Sequence, residues 1–126
     1  MFRYTVGEGL KTVSAVSYVY DLNGEVELPS LTIIGSPRFI DVGFSISSAK
    51  IVAKAAGTAQ VKVVLKSFDS TGADEVTHID DTLSLTSKTL SDLTVSIAAV
   101  GSNRQFELSV QTLTGTPSED ITITIL

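Results

Sequence analysis

The chain has 126 residues, 43% apolar and 18% charged, which suits one ordinary globular domain and excludes the disordered class. Fourteen acidic against nine basic residues leave a net charge of -5, which argues against bulk binding to nucleic acid. The absence of cysteine excludes disulfides and thiolate metal sites, and no run of 18 or more apolar residues is present to form a transmembrane helix.

The first eleven residues are weakly patterned. They hold Gly7 and Gly9 and no apolar stretch of the kind a secretory signal needs, so residues 1-11 are expected to form an N-terminal arm ahead of a single domain over 12-126. Phe2 and Tyr4 are the apolar anchors by which such an arm would hold a partner.

Beyond the arm, apolar and polar residues alternate with period two almost everywhere, and Ser and Thr make up about a quarter of the chain. Ile40, Val42, Phe44 and Ile46 form one such set, Phe106, Leu108 and Val110 another, and Ile121, Ile123 and Ile125 a third. Each reads as a half-buried antiparallel strand with one wet face. Strands are predicted near 12-20, 25-34, 38-46, 48-56, 60-68, 75-80, 82-87, 93-100, 104-113 and 119-126. With some merging or lost, about eight remain, which fits an all-β, antiparallel two-sheet sandwich of jelly-roll type without substantial helix. Turn chemistry at Asn23-Gly24, Gly35-Ser36-Pro37, Gly57-Thr58, Asp69 to Gly72, Gly101 to Asn103 and Gly115 to Pro117 separates them.

Tyr18 and Tyr20 share one strand face with Val16 and read as a core or interface stripe. A sugar platform is the other reading of these rings, since pyranoses stack on flat apolar faces.

Lys50, Lys54, Lys62 and Lys66 stand in mirror order about Gly57-Thr58-Ala59. A hairpin with that three-residue loop sets Lys50 opposite Lys66, Val52 opposite Val64 and Lys54 opposite Lys62. Ile51, Ala53 and Ala55 then meet Leu65, Val63 and Val61 on the core face. Opposed like charges are destabilising, so the four lysines are read as a solvated face that discourages edge pairing or as a patch for an acidic partner. A second hairpin with a two-residue loop at Ser102-Asn103 would pair Val95, Ile97 and Ala99 with Val110, Leu108 and Phe106.

Asp69, Asp74, Glu75, His78, Asp80 and Asp81 form an acidic cluster around Gly72. Its spacing does not match an EF-hand loop, so no calcium site is expected. One histidine cannot make a two-histidine zinc site, and no Gly-x-Ser-x-Gly elbow presents a nucleophile. Asp80 and Asp81, being adjacent on a strand, point to opposite faces and are poorly placed for joint acid–base work. The expectation is a protein without enzymatic activity, metal or cofactor.

The stretch ISSAKIVAKAAGTAQVKVVLKS (46-67), the aspartate-glycine turn at Asp69 to Gly72, DLTVSIAAVGSNRQFELSVQTLTG (92-115) and the closing DITITIL resemble the small β-sandwich modules of tailed-bacteriophage virion proteins. The resemblance spans about residues 40-126 and is one of rhythm, without an invariant motif. It implies a virion structural protein on the capsid surface, first of all a capsid decoration protein. Such a protein would be a homo-oligomer, with a trimer favoured, bound to the major capsid protein, with no nucleic-acid or membrane partner. The alternative is a receptor- or carbohydrate-binding module of a tail fibre or secreted protein.

Overall fold

A computed structural model describes residues 17–126. They form eleven strands: β1 (Tyr18–Val26), β2 (Thr32–Ile33), β3 (Arg38–Ile40), β4 (Phe44–Ser45), β5 (Ala49–Ala55), β6 (Gln60–Asp69), β7 (Val76–Ser84), β8 (Ser91–Asp92), β9 (Ala99–Val100), β10 (Arg104–Thr112) and β11 (Ser118–Ile125). One sheet has the order β1-β11-β5-β8; the other has the order β2-β10-β6-β7, with β3 also on β10. A short β4-β9 pair stands apart, and every ladder is antiparallel.

The pairing is nested. β1 takes β11, β2 and β3 take β10, β5 takes β8, and β6 takes β7, as if one long hairpin had been rolled up. That is jelly-roll connectivity, and the all-β, antiparallel sandwich is as expected. Tyr20, Ile51, Ala53, Ile121, Ile123 and Ile125 reach the core from one sheet. Val61, Val63, Leu65, Ile79, Phe106, Leu108 and Val110 meet them from the other. Each large side chain fully buried there contributes about 1.5–3 kcal/mol before its entropy is counted.

The predicted 50/66 hairpin does not form. Strands β5 and β6 lie in different sheets, although the core faces read for them are the ones buried. Lys50 sits opposite Thr124 and Asp92, Val52 opposite Thr122, Lys62 opposite Gln111 and Thr82, and Lys66 opposite Glu107 and Thr77. Residues 56–59 cross between the sheets instead of turning back. Ala59 N donates to Thr116 O at 2.9 Å, Thr116 N to Thr58 Oγ1 at 2.9 Å and Gly57 N to Ser118 Oγ at 3.3 Å. A Cβ on Gly57 would lie 1.9 Å from Thr116 O, so glycine is required by close backbone approach and not by a hairpin tip.

The hairpin at Ser102-Asn103 is also replaced. Strand β10 already has β6 on one side and β2 and β3 on the other, so it has no free edge for 93–100. That segment keeps only β9, which pairs with β4, while β8 lies just ahead of it. Ile97 and Ala99, read as core, are exposed, while Val100 is buried. The predicted strand 38–46 breaks at Asp41–Gly43, leaving Val42 73% exposed. Residues 12–16 of the predicted 12–20 strand lie outside the described residues; its remainder and the predicted 25–34 strand are regrouped, with β1 running through Asn23-Gly24 and a register shift between Leu22 and Glu25. Gly24 has φ +71 there and donates its N–H to the Asp120 carboxylate, so this pair marks a bulge and not a turn. Residues read as two strands near 75–80 and 82–87 merge in β7.

Candidate functional site

Four of the large apolar side chains left exposed, Val19, Leu31, Ile33 and Phe39, belong to the strands that begin the two sheets and the turn between them. Arg38 ties these edges together: its Nη2 donates to Val19 O at 2.9 Å, and its guanidinium lies 4.4 Å from the Tyr20 ring centre. On the outer face of the second sheet, Phe39 and Phe68 flank Gln105 on neighbouring strands, which sets them about 10 Å apart at the usual strand spacing. Phe39 is 64% exposed, and beside it Pro37, Ser70, Arg104 and Gln105 border a hollow of about 280 Å³. Sequence reasoning passed over this surface because Phe39 sits in a three-residue strand. Its odd number among even-numbered apolar neighbours was the available signal.

The sequence-predicted contact residues are dispersed. Lys50 and Lys54 lie on the outer face of the first sheet; Lys62 and Lys66 lie on that of the second. No single four-lysine face exists. Carboxylates answer three of them: Lys50 pairs with Asp92, Lys66 with Glu75 at 3.2 Å, and Lys54 with Asp120 at 3.9 Å. Phe2, Tyr4 and the rest of the 1–11 arm lie outside the described residues.

The acidic cluster splits by role. Asp69 Oδ1 accepts from Thr71 N at 2.9 Å, Thr71 Oγ1 at 2.6 Å and Ala73 N at 2.9 Å, closing its own turn. The Thr71 hydroxyl first, then the Ala73 and Thr71 N–H groups, hold its carboxyl below the ordinary range. Asp81 accepts from Thr94 N at 2.9 Å, and Asp80 is exposed on the opposite face. Among the described residues, no three His, Cys, Asp or Glu side chains converge where they could hold a metal ion.

His78 is the unforeseen element. The β6–β7 register passes from Leu65–Ile79 to Lys66–Thr77, so His78 is the extra residue of a bulge and turns inward beside Ile79. Its Nε2 is 2.7 Å from Ser67 Oγ and its Nδ1 is 2.7 Å from Ile97 O. A carbonyl can only accept, so Nδ1 carries the proton and the bare Nε2 accepts from the Ser67 hydroxyl. Arg104 Nε then donates to the same hydroxyl at 2.9 Å, while Nη1 reaches Asp74 Oδ2 at 2.9 Å and Nη2 reaches Ser67 O at 3.0 Å. Burial is the main cause holding His78 below the ordinary histidine pKa. A Ser–His pair can activate a nucleophile, but both side chains are fully buried and the serine hydroxyl is committed on both sides. The pair is a structural joint. Ser67 and Arg104 continue the inward parity of Leu65 and Phe106, which was the signal for their half of it.

Of the Tyr18 and Tyr20 pair, Tyr20 is core, with burial pushing its hydroxyl up to about 12. Tyr18 packs edge-on to Phe106 and stacks on Phe44, with ring centres 5.2 and 5.9 Å apart. The core-stripe reading therefore describes them better than a sugar platform does.

No family model matches the chain, and no curated protein matches it. A solved structure of infectious bursal disease virus, Gx strain, aligns with it at 8% identity and a TM-score of 0.40. That alignment covers 97% of this chain and 36% of the other, so this chain spans little more than a third of its length. A likeness that small carries no argument about function.

Proposed function

We propose that the protein is a non-enzymatic virion structural module, a capsid decoration or accessory protein that binds the shell as a homo-oligomer, with a trimer favoured and the major capsid protein as partner. The observation that carries this reading is the division of labour in the fold. Buried Ser67, His78 and Thr112 use their polar atoms to hold strands and loops together, while exposed Val19 on the outer face of the first sheet and exposed Ile33 and Phe39 on that of the second leave apolar surface on the edge strands. Exposed apolar side chains on edge strands are the kind of anchor that association uses. The bacteriophage rhythm of residues 46–67 and 92–126 and the jelly-roll connectivity, a frequent capsid architecture, support the same reading. Phe2 and Tyr4 extend it as further anchors toward a neighbour.

Sedimentation equilibrium of the full chain, followed by co-sedimentation with assembled shells, tests the proposal. The expected result is an oligomer that pellets with shells, and a Phe39→Asp/Ile33→Asp variant that stays folded but does neither. A monomer that ignores shells overturns it. A second reading, a carbohydrate-binding module, draws on Phe39 and Phe68 about Gln105, because flat rings separated by an amide suit successive sugars. Glycan-array binding abolished by Phe39→Ala, without shell binding, would favour that reading.

A further inference from the structure

Two loops at one end of the sandwich share a single buried joint. Residues 70–75 join β6 to β7, and Arg104 clamps them through Asp74 Oδ2 and Asp74 O. Residues 93–98 lead into β9. The backbone of His78 holds them, its carbonyl accepting from Ser96 N at 2.8 Å and Ser96 Oγ at 3.1 Å, and its ring holds them through Ile97 O. Among the described residues, Ser67 Oγ is the one atom touched by both clamps, accepting from Arg104 Nε on one side and donating to His78 Nε2 on the other.

We propose that this joint is an acid-sensitive latch: a proton on His78 reverses the Ser67 hydrogen bond, sets an imidazolium against the Arg104 guanidinium on one buried oxygen and releases loop 93–98, while the β5, β6, β10 and β11 core and the Asp69-closed turn of loop 70–75 stay folded. The neutral arrangement has one complete donor–acceptor assignment, in which imidazole Nδ1–H serves Ile97 O, the serine hydroxyl serves Nε2, and Arg104 serves the serine. Adding a proton at Nε2 sets two donors against each other across 2.7 Å in a fully buried place. The hydroxyl must swing away, and the new imidazolium then shares its one oxygen with a guanidinium.

The groups that face His78 reinforce this. From β10 come Arg104, whose charge lowers the ring's affinity for a proton, and Phe106, with ring centres 5.8 Å apart. From β6 comes Ser67, and from the packed loop Val95, Ser96, Ile97 and Ala98 bring no ionisable side chain. Asp74 is engaged by Arg104, so its charge is turned away from the ring. A folded-state pKa below the unfolded one means that the latch is intact above about 6.5 and is lost as pH falls toward the folded value.

Because His78 is the only histidine of the chain, its ring resonances are unambiguous. The experiment is amide hydrogen exchange of the full chain at pH 7.5 and pH 5.0, corrected for intrinsic rates, with a ring titration by NMR. Ser96 and Ile97 amides should exchange at least tenfold faster at pH 5.0, and Ile51, Leu65 and Leu108, with the Asp69-bonded amides of loop 70–75, should not. The His78→Gln variant keeps a donor for Ile97 O and an acceptor for Ser67 without titrating, so it should show no such change. Equal protection at both pH values in the wild type, or the same loss in His78→Gln, overturns the latch. Should the variant not fold, the ring titration decides: a midpoint at or above 6.5, or one without loop shifts, rejects the proposal.

Discussion

The connections on either side of β6 invite comparison. Each joins two alternating strands through a short segment holding one glycine, Gly57 before the strand and Gly72 after it. One crosses to the other sheet and the other closes a hairpin. Their surroundings make the difference. Gly57 is pressed against the backbone of Thr116 and Pro117, whereas a Cβ on Gly72 would meet nothing within 4 Å. At the crossing, bonds come from a segment nearly sixty residues away; at the hairpin they come from Asp69 within its own turn. A glycine between alternating strands therefore does not identify a hairpin. What distinguishes the two cases is whether the turn's polar groups find partners locally.

Substitutions should separate these cases. The largest effect is expected at Gly57→Ala, where the new methyl meets backbone that cannot give way, and a loss of about 3 kcal/mol in urea unfolding is expected from such overpacking. A loss under about 1 kcal/mol would mean that the crossing is plastic. Next comes Arg104→Ala, which strips charge-assisted bonds from Ser67 and Asp74 and should cost about 2–3 kcal/mol. Exchange protection should fall first in 70–75. Gly72→Ala meets no clash but forces alanine into φ +83, so about 1 kcal/mol is expected, with Gly72→Asn milder. Equal costs at Gly57 and Gly72 would erase the comparison.

Asp69 adds a pH test of the local turn. Its folded pKa is depressed, so its contribution is complete above the unfolded value of about 3.8 and disappears as pH falls through the lower folded one. Hairpin-loop protection in Asp69→Asn should be flat across that acid range, where the wild type declines. Smallest of all, Lys50, Lys54, Lys62 and Lys66 changed singly to Gln should each shift stability by less than about 0.5 kcal/mol, because exposed pairs contribute little. A larger loss at any of them, read in the same urea titration, would show that its strand relies on that charge.

Period two told which side of each strand is buried, and Ile51, Val63, Leu108 and Ile123 are inward as read. It could not tell which strand lies alongside, because a correct face is compatible with a neighbour in either sheet. The mirror order of the lysines satisfied local pairing and was still outranked by Lys66 meeting Glu107 and Lys50 meeting Asp92, opposite charges supplied from far along the chain. The joint at His78 was legible only in part. Parity points Ser67 and Arg104 inward, but the bulge that turns His78 in with Ile79 leaves no local mark. Phe39 was lost with the strand boundaries around it.

The nested pairing has a kinetic consequence. Strand β11 is not an edge; it lies between β1 and β5, so their sheet has no continuous ladder until the last strand arrives. Tyr18 waits for Ile125 and Val52 for Thr122. On the ribosome, β1 and β5 would emerge without their common partner, and their exposed edges would need shielding until synthesis had passed residue 125. Such long loop closures place folding in the slow, millisecond-to-second class of β topologies, with the search ending only when the final strand slots into the middle of the sheet.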